Sequence, residues 1–130
     1  MRMSTNLGAQ FIRFNMRLSP AILKNLYSAI YCMKPFDRWA MPLPEEISFI
    51  VDQDPEIMGT YYYDDGGDYE HIITISSKKC GHLSTVIRVL CHECVHMSRH
   101  KTHRWTHHDA EFRRRTKRIS DELGFDPLEL

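Results

Sequence analysis

The chain has 130 residues, of which 42% are apolar and 11% aromatic, so it is neither disordered nor of low complexity, and we expect one domain over residues 1–130. Lysine plus arginine number 17, as do aspartate plus glutamate, and the formal net charge is zero. Residues 1–76 hold 6 basic and 10 acidic side chains, whereas residues 77–130 hold 11 and 7. The second of these segments also contains seven of the eight histidines. The zero net charge is therefore the sum of an acidic segment and a basic, histidine-rich segment.

The sequence shows no targeting or membrane signal. Residues 1–10 lack an apolar core of signal-peptide length, and the best apolar stretch, Leu26 to Met33, is too short to span a membrane. The four cysteines are compatible with free thiols in a reducing compartment. We therefore expect a soluble, cytoplasmic protein.

The first predicted element is a helix that begins at Ser19-Pro20, with a hydroxyl cap and proline at the first helical position. Apolar residues follow at a spacing of three or four, and Pro35 closes the helix. The preceding stretch, Phe11 to Met16, favours neither helix nor strand. Three runs of strand length and composition come next: Ile47 to Val51, Ile57 to Tyr63 and Glu70 to Ser76.

The second and third strands are predicted to form an antiparallel hairpin, because residues 64–68 combine the aspartates and glycines typical of a turn. A helix from Ser84 to Arg99 follows. The last helix is predicted to begin at Thr106, with Thr106 and Asp109 as a capping box, and to end before Gly124. This order of elements predicts an α+β fold with a three-stranded, mainly antiparallel sheet.

The strongest chemical signal is the H-E-x-x-H motif formed by His92, Glu93 and His96. Residues four apart lie on one face of a helix, so the two histidines can bind one metal ion through their imidazole nitrogens. Glu93 lies about 100° further round the helix, where it can take a proton from an activated water molecule. Cys91 and Cys94 fall in the apolar arc of the same helix, which favours buried thiols over a redox or metal site.

A catalytic zinc site needs a third protein ligand and one open position. The metzincin pattern would require glycine at 99 and histidine at 102, and Arg99 and Thr102 exclude it. A later carboxylate, Glu111 or Glu122, is one alternative ligand. His108 is the preferred candidate because it starts the apolar stripe of the last helix, although a core histidine bonded to the backbone would fit the same position.

After a short insertion, the H-E-x-x-H motif is followed by His108-Asp109-Ala110-Glu111-Phe112. Together with H-E-x-x-H, it resembles the SprT-like zinc metallopeptidases, which include the Spartan proteases. Their third-ligand segment is typically H-G-x-x-F, so Asp109 replaces the usual glycine here. The segments that begin at Gly59 and His71 look like the family's hairpin before the active-site helix. The similarity covers about residues 20–124.

The resemblance implies a small zincin-like domain that acts as a zinc metalloendopeptidase. His92, His96 and His108 would hold one Zn²⁺ ion, the last of them on the C-terminal helix, and Glu93 would be the general base. The resemblance also implies that the last strand before the active-site helix offers its edge to an extended protein or peptide substrate. Because the chain ends at Leu130, we expect no C-terminal zinc ribbon of the kind found in many relatives.

The region from Arg99 to Arg118 contains eight lysines and arginines against Asp109 and Glu111. Two interpretations stay open: a solvated helix face, or a rim that contacts phosphates beside the active site and brings DNA or DNA-associated proteins to it. The alternative function is therefore a DNA- or protein-binding module whose zinc site is structural or vestigial.

Overall fold

The computed structural model describes residues 17–130, so the segment Phe11 to Met16 lies outside the described residues. Its helices are α1 (Pro20–Tyr31), α2 (Leu83–Ser98) and α3 (Ala110–Leu123), and its strands are β1 (Ile47–Asp52), β2 (Gly59–Tyr63) and β3 (His71–Ser76). Short 3-10 turns occur at Phe36–Arg38, Pro44–Glu46 and Pro127–Glu129. The predicted α+β class is confirmed. Within residues 17–130, no helix is both long enough and apolar enough to cross a membrane.

Helix α1 begins as predicted, with Ser19 as its cap and proline in its first turn. The Ser19 hydroxyl accepts a hydrogen bond from the Ile22 N–H at 3.2 Å, which satisfies one of the free donors of the first turn. One face of the helix is buried, and the ring of Tyr27 lies 5.8 Å from that of Phe49 on β1, centroid to centroid. Helix α1 therefore packs against the first strand.

The strand order in the sheet is β1-β3-β2. Strands β2 and β3 form the predicted antiparallel hairpin, and β1 pairs with β3 in parallel, so that Phe49, Ile73 and Tyr61 lie side by side. The prediction that the last strand before the active-site helix offers its edge is wrong, because β3 is central and its two edges are both paired. The free edge near α2 belongs to β2.

Helix α2 packs closely on the hairpin. A Cβ atom added at Gly59, the first residue of β2, would lie 2.7 Å from Cγ1 of Val89, so a larger residue there would push the strand and helix apart. Cys91 and Cys94 are fully buried on the apolar side of α2, which confirms the prediction of buried thiols. Burial of this apolar side fixes the direction in which the H-E-x-x-H residues point.

Helix α3 begins later than predicted. Its cap is Asp109, whose carboxylate accepts the Phe112 N–H at 3.1 Å, so the prediction of Thr106 as the cap is wrong. The end of the helix is as predicted: Gly124 adopts a left-handed conformation (φ 83°) and donates its N–H to the Ser120 carbonyl at 2.8 Å. His108 therefore lies just before the helix, not in its first turn.

Candidate metal centre

His92, His96 and His108 converge on one point. Their ring nitrogens that could serve as ligands all lie within 4.8 Å of one another, and the Nε2 atoms of His96 and His108 are 3.0 Å apart. No other group of three or more potential ligands converges in the part of the chain that the structure describes. The structure thus brings together the three histidines that the sequence singled out.

Two main-chain oxygens fix the tautomers of the helical histidines. Nδ1 of His92 lies 2.8 Å from the Leu130 oxygen, and Nδ1 of His96 lies 2.7 Å from the Trp105 carbonyl oxygen. A carbonyl oxygen can only accept, so Nδ1 carries the proton in each ring and Nε2 of the neutral ring has a free lone pair. Such a donor set, with its outer nitrogens already bonded, fits a metal ion.

Burial keeps the helical histidines uncharged. His96 is 8% exposed, and burial lowers its pKa to about 4, although the hydrogen bond to the Trp105 carbonyl opposes this shift. Burial likewise lowers the pKa of His92. His108 differs from both because its side chain is exposed. The rings of the buried His96 and the half-buried His92 are therefore neutral and able to act as ligands near pH 7.

Glu93 follows His92 directly in α2, but its carboxylate does not belong to the group of converging ligand atoms. Its side chain is 6% exposed, and burial raises the pKa of its carboxyl to about 7, against the effect of a hydrogen bond from the backbone N–H of Tyr61. A carboxyl with such a pKa exchanges protons readily near neutral pH, as a general base must.

Glu93 and His96 open into a cleft of about 230 Å³. The start of β2, from Gly59 to Tyr61, lines this cleft together with Trp105 and Thr106. The ring of Trp105 packs edge-on against that of Tyr61, with centroids 5.3 Å apart. The free edge of the sheet is thus next to the histidine cluster.

The other residues considered from the sequence lie elsewhere. The carboxylates Glu111 and Glu122 do not belong to the converging group, and Glu111 instead accepts hydrogen bonds from Arg114 and Arg115. The following histidines also lie outside the group: His71, His82, His100, His103 and His107. His71, the first residue of β3, instead contacts the neighbouring strand β2, because its Nδ1 lies 2.7 Å from the Tyr61 hydroxyl.

Sequence reasoning missed the groups that orient the histidines. Trp105 and Leu130 act through main-chain oxygens, and every residue has such an oxygen, so no sequence signal distinguishes them. The sequence analysis also grouped Arg99 with the other cations of the basic region, whereas its side chain is only 7% exposed and forms an ion pair with Asp109.

The basic region is partly neutralised within the fold. All five ion pairs found among residues 17–130 use its cations, which are Arg99, Arg104, Arg114, Arg115 and Lys117. They share three carboxylates, so the region stays positive overall. Arg113, Arg114, Lys117 and Arg118 are exposed on the outer side of α3.

An α+β fold in which an H-E-x-x-H helix meets a third histidine just before the next helix is a zincin-like arrangement with a candidate metal centre. The family model of the SprT-like family matches residues 33–128, which begin just after α1 and extend beyond the end of α3. The chain therefore belongs to the SprT-like family. Neither a curated protein nor a solved structure matches it.

Proposed function

We propose that this protein is a zinc-dependent metalloendopeptidase in which His92, His96 and His108 hold one Zn²⁺ ion and Glu93 is the general base. The observation that carries the proposal is the convergence of three histidine nitrogens beside a buried carboxyl with a raised pKa. Imidazole nitrogen suits zinc, and three ligands leave one position open, as in catalytic zinc sites. Membership of the SprT-like family supports the same assignment.

The ion, when bound, supplies Lewis-acid polarisation of water and of the scissile carbonyl. Glu93 takes the proton from the attacking water and returns it to the amine nitrogen that leaves. The backbone N–H of Tyr61 favours the ionised form of the Glu93 carboxylate, which is the form that accepts the proton. An extended peptide that pairs with the free edge of β2 would bring its carbonyl to the cleft shared by Glu93 and His96.

The test is the Glu93→Gln variant, compared with Glu122→Gln on the exposed side of α3. We expect Glu93→Gln to keep stoichiometric zinc but to lose about 10²–10⁴-fold in kcat/KM on casein-like or self substrates, assayed with and without DNA. Glu122→Gln should retain full activity. Undiminished turnover by Glu93→Gln, or purified protein without zinc, would contradict the proposal.

The exposed cations of α3 favour a second candidate, a DNA- or protein-binding module whose zinc is structural or vestigial. The number of ligands argues against this candidate. Structural zinc sites usually have four protein ligands, whereas this group has three and leaves one position open. The two candidates separate in the Glu93→Gln protein. A module binds DNA with an affinity that falls steeply with salt, by a log–log slope of about −0.9 per phosphate contact, and wild type then cleaves no better than the variant.

The same cations define the partner that we propose for the peptidase, namely proteins associated with DNA. A groove of about 430 Å³ runs along this side of α3, and its lining includes Trp39 and the arginines at 114, 115 and 118. The ring of Trp39 lies 4.9 Å from the Arg115 guanidinium. Replacing Arg114 and Arg118 with glutamine should weaken DNA binding and leave zinc content unchanged.

A further inference from the structure

The third candidate ligand lacks the support that the other two have. His92 and His96 are carried by a packed helix, whereas His108 is exposed and lies in the extended segment before α3. An exposed side chain on an irregular segment can take many positions, and a metal site loses affinity for every degree of freedom it must freeze. Something other than burial has to fix the backbone at His108.

Asp109, the residue after His108, forms an ion pair with Arg99 at the end of α2. Arg99 and Asp109 form a two-pronged ion pair, with Nη1 2.7 Å from Oδ1 and Nη2 2.9 Å from Oδ2. Nη1 of Arg99 also donates to the main-chain oxygen of His107 at 3.2 Å. Because Arg99 is 7% exposed and follows α2 directly, it connects the helix that carries two ligands to the segment that carries the third.

We propose that the Arg99–Asp109 pair is the positioning device of the metal site: it holds the His108 backbone at the distance from α2 at which the three imidazoles converge. This inference rests on the proposed zinc site. Further contacts act in the same direction, since Arg104 donates to Asp109 at 3.1 Å and Arg113 donates to the His108 main-chain oxygen at 2.9 Å. A planar guanidinium bonded through two nitrogens fixes orientation as well as distance.

Asp109 has a second task, the capping of α3, and the experiment must separate the two. The cap needs only one side-chain oxygen to accept the Phe112 N–H, and serine can supply it. A single serine hydroxyl cannot replace the two carboxylate oxygens that accept hydrogen bonds from Nη1 and Nη2 of Arg99. Asp109→Ser therefore keeps the cap and removes the ion pair, but it leaves the Arg99 charge buried without its partner, which can unfold a protein.

The double variant Arg99→Met/Asp109→Ser removes that unpaired charge as well. Methionine fills much of the space of the arginine stem without a charge, so we expect the metal-free double variant to melt near the wild-type temperature. Asp121→Ser is the matched control, because Asp121 also lies on the α3 segment and pairs with a cation, Lys117, away from the histidines.

The measurement is the Zn²⁺ affinity of each metal-free protein, determined by competition with a chelator, with the visible spectrum of the Co²⁺-loaded proteins as a probe of ligand geometry. We expect zinc to bind about 10–100-fold more weakly to Arg99→Met, to Asp109→Ser and to the double variant. Because the two residues act as one unit, the double variant should lose no more than either single variant. Asp121→Ser should stay within about twofold of wild type.

A folded double variant with wild-type zinc affinity and an unchanged Co²⁺ spectrum would overturn the inference and leave the proposed function standing. Losses that multiply in the double variant would also overturn it, since the two residues would then act separately. If wild type itself bound no zinc, the proposed function would fail and the inference with it.

Discussion

The two sides of the candidate metal site are held in place by different kinds of interaction. On one side, α2 carries His92 and His96 on a helix whose opposite face is buried with residues such as Leu90 and Cys94 at 0% exposure. On the other side, His108 is exposed, and charged and polar contacts hold the segment from Arg99 to Asp109. The comparison teaches that the fold and the metal site can be disturbed separately, because burial supports one side and ion pairing supports the other.

Removal of a single ligand gives the largest expected effect and tests this comparison directly. Structural zinc sites with four ligands bind with about 10–16 kcal/mol, so the loss of one ligand should weaken zinc binding by roughly 10²–10³-fold. We expect this loss for both His96→Ala and His108→Ala, measured by competition with a chelator.

The metal-free proteins should tell the two histidines apart. His108→Ala should leave the free energy of unfolding within about 0.5 kcal/mol of wild type, because its side chain is exposed. His96→Ala should lower it by about 1–3 kcal/mol, because a buried ring is removed and the half-buried Trp105 carbonyl loses its hydrogen-bond partner. Equal stabilities for the two variants would contradict the division into a buried and an exposed side.

Packing under α2 gives the next effect in size. Leu90 is fully buried, so Leu90→Ala should lower the free energy of unfolding of the metal-free protein by about 3 kcal/mol, as measured by urea denaturation. Leu83 is the matched control, since it lies on the same helix but is 49% exposed, and Leu83→Ala should cost about 0.5 kcal/mol or less. If both variants lost the same stability, α2 would not depend on its buried face.

The contrast between the two sides also explains what the sequence could predict. Helical periodicity placed His92, Glu93 and His96 correctly, because burial of an apolar face leaves a helix one orientation. A different, local pattern led to the wrong cap of α3, because Thr106 and Asp109, three residues apart, look like a capping box. The actual cap is Asp109, which also forms an ion pair with Arg99, and no local pattern encodes that second contact.

Strand pairing was another limit on prediction. The hairpin of β2 and β3 could be read from the turn between them, because it is local. The parallel pairing of β1 with β3 joins residues more distant in the chain, and nothing local specifies which edge of the hairpin β1 joins. That choice makes β2 the free edge beside the cleft, so the sequence assigned the free edge to the wrong strand.

The polar contact beneath the cleft should give the smallest effect. His71 is 5% exposed, and its Nδ1 lies 2.7 Å from the Tyr61 hydroxyl of the strand that lines the cleft. Burial, with His100 nearby, lowers the pKa of His71 to about 4 from an ordinary value of 6.5, and Glu46 opposes the shift. The ring of Tyr63 also packs on it, 5.6 Å away between centroids.

Because the folded pKa of His71 lies below the unfolded one, the unfolded chain takes up the proton first as the pH falls. The contribution of His71 is therefore complete above about pH 6.5 and is lost progressively between pH 6.5 and 4. We expect wild type to lose about 1–2 kcal/mol more stability than His71→Gln over this range, after solvent screening is allowed for. Urea denaturation of the metal-free proteins at a series of pH values measures the difference, and parallel pH profiles would show that the hairpin side of the cleft does not depend on this histidine.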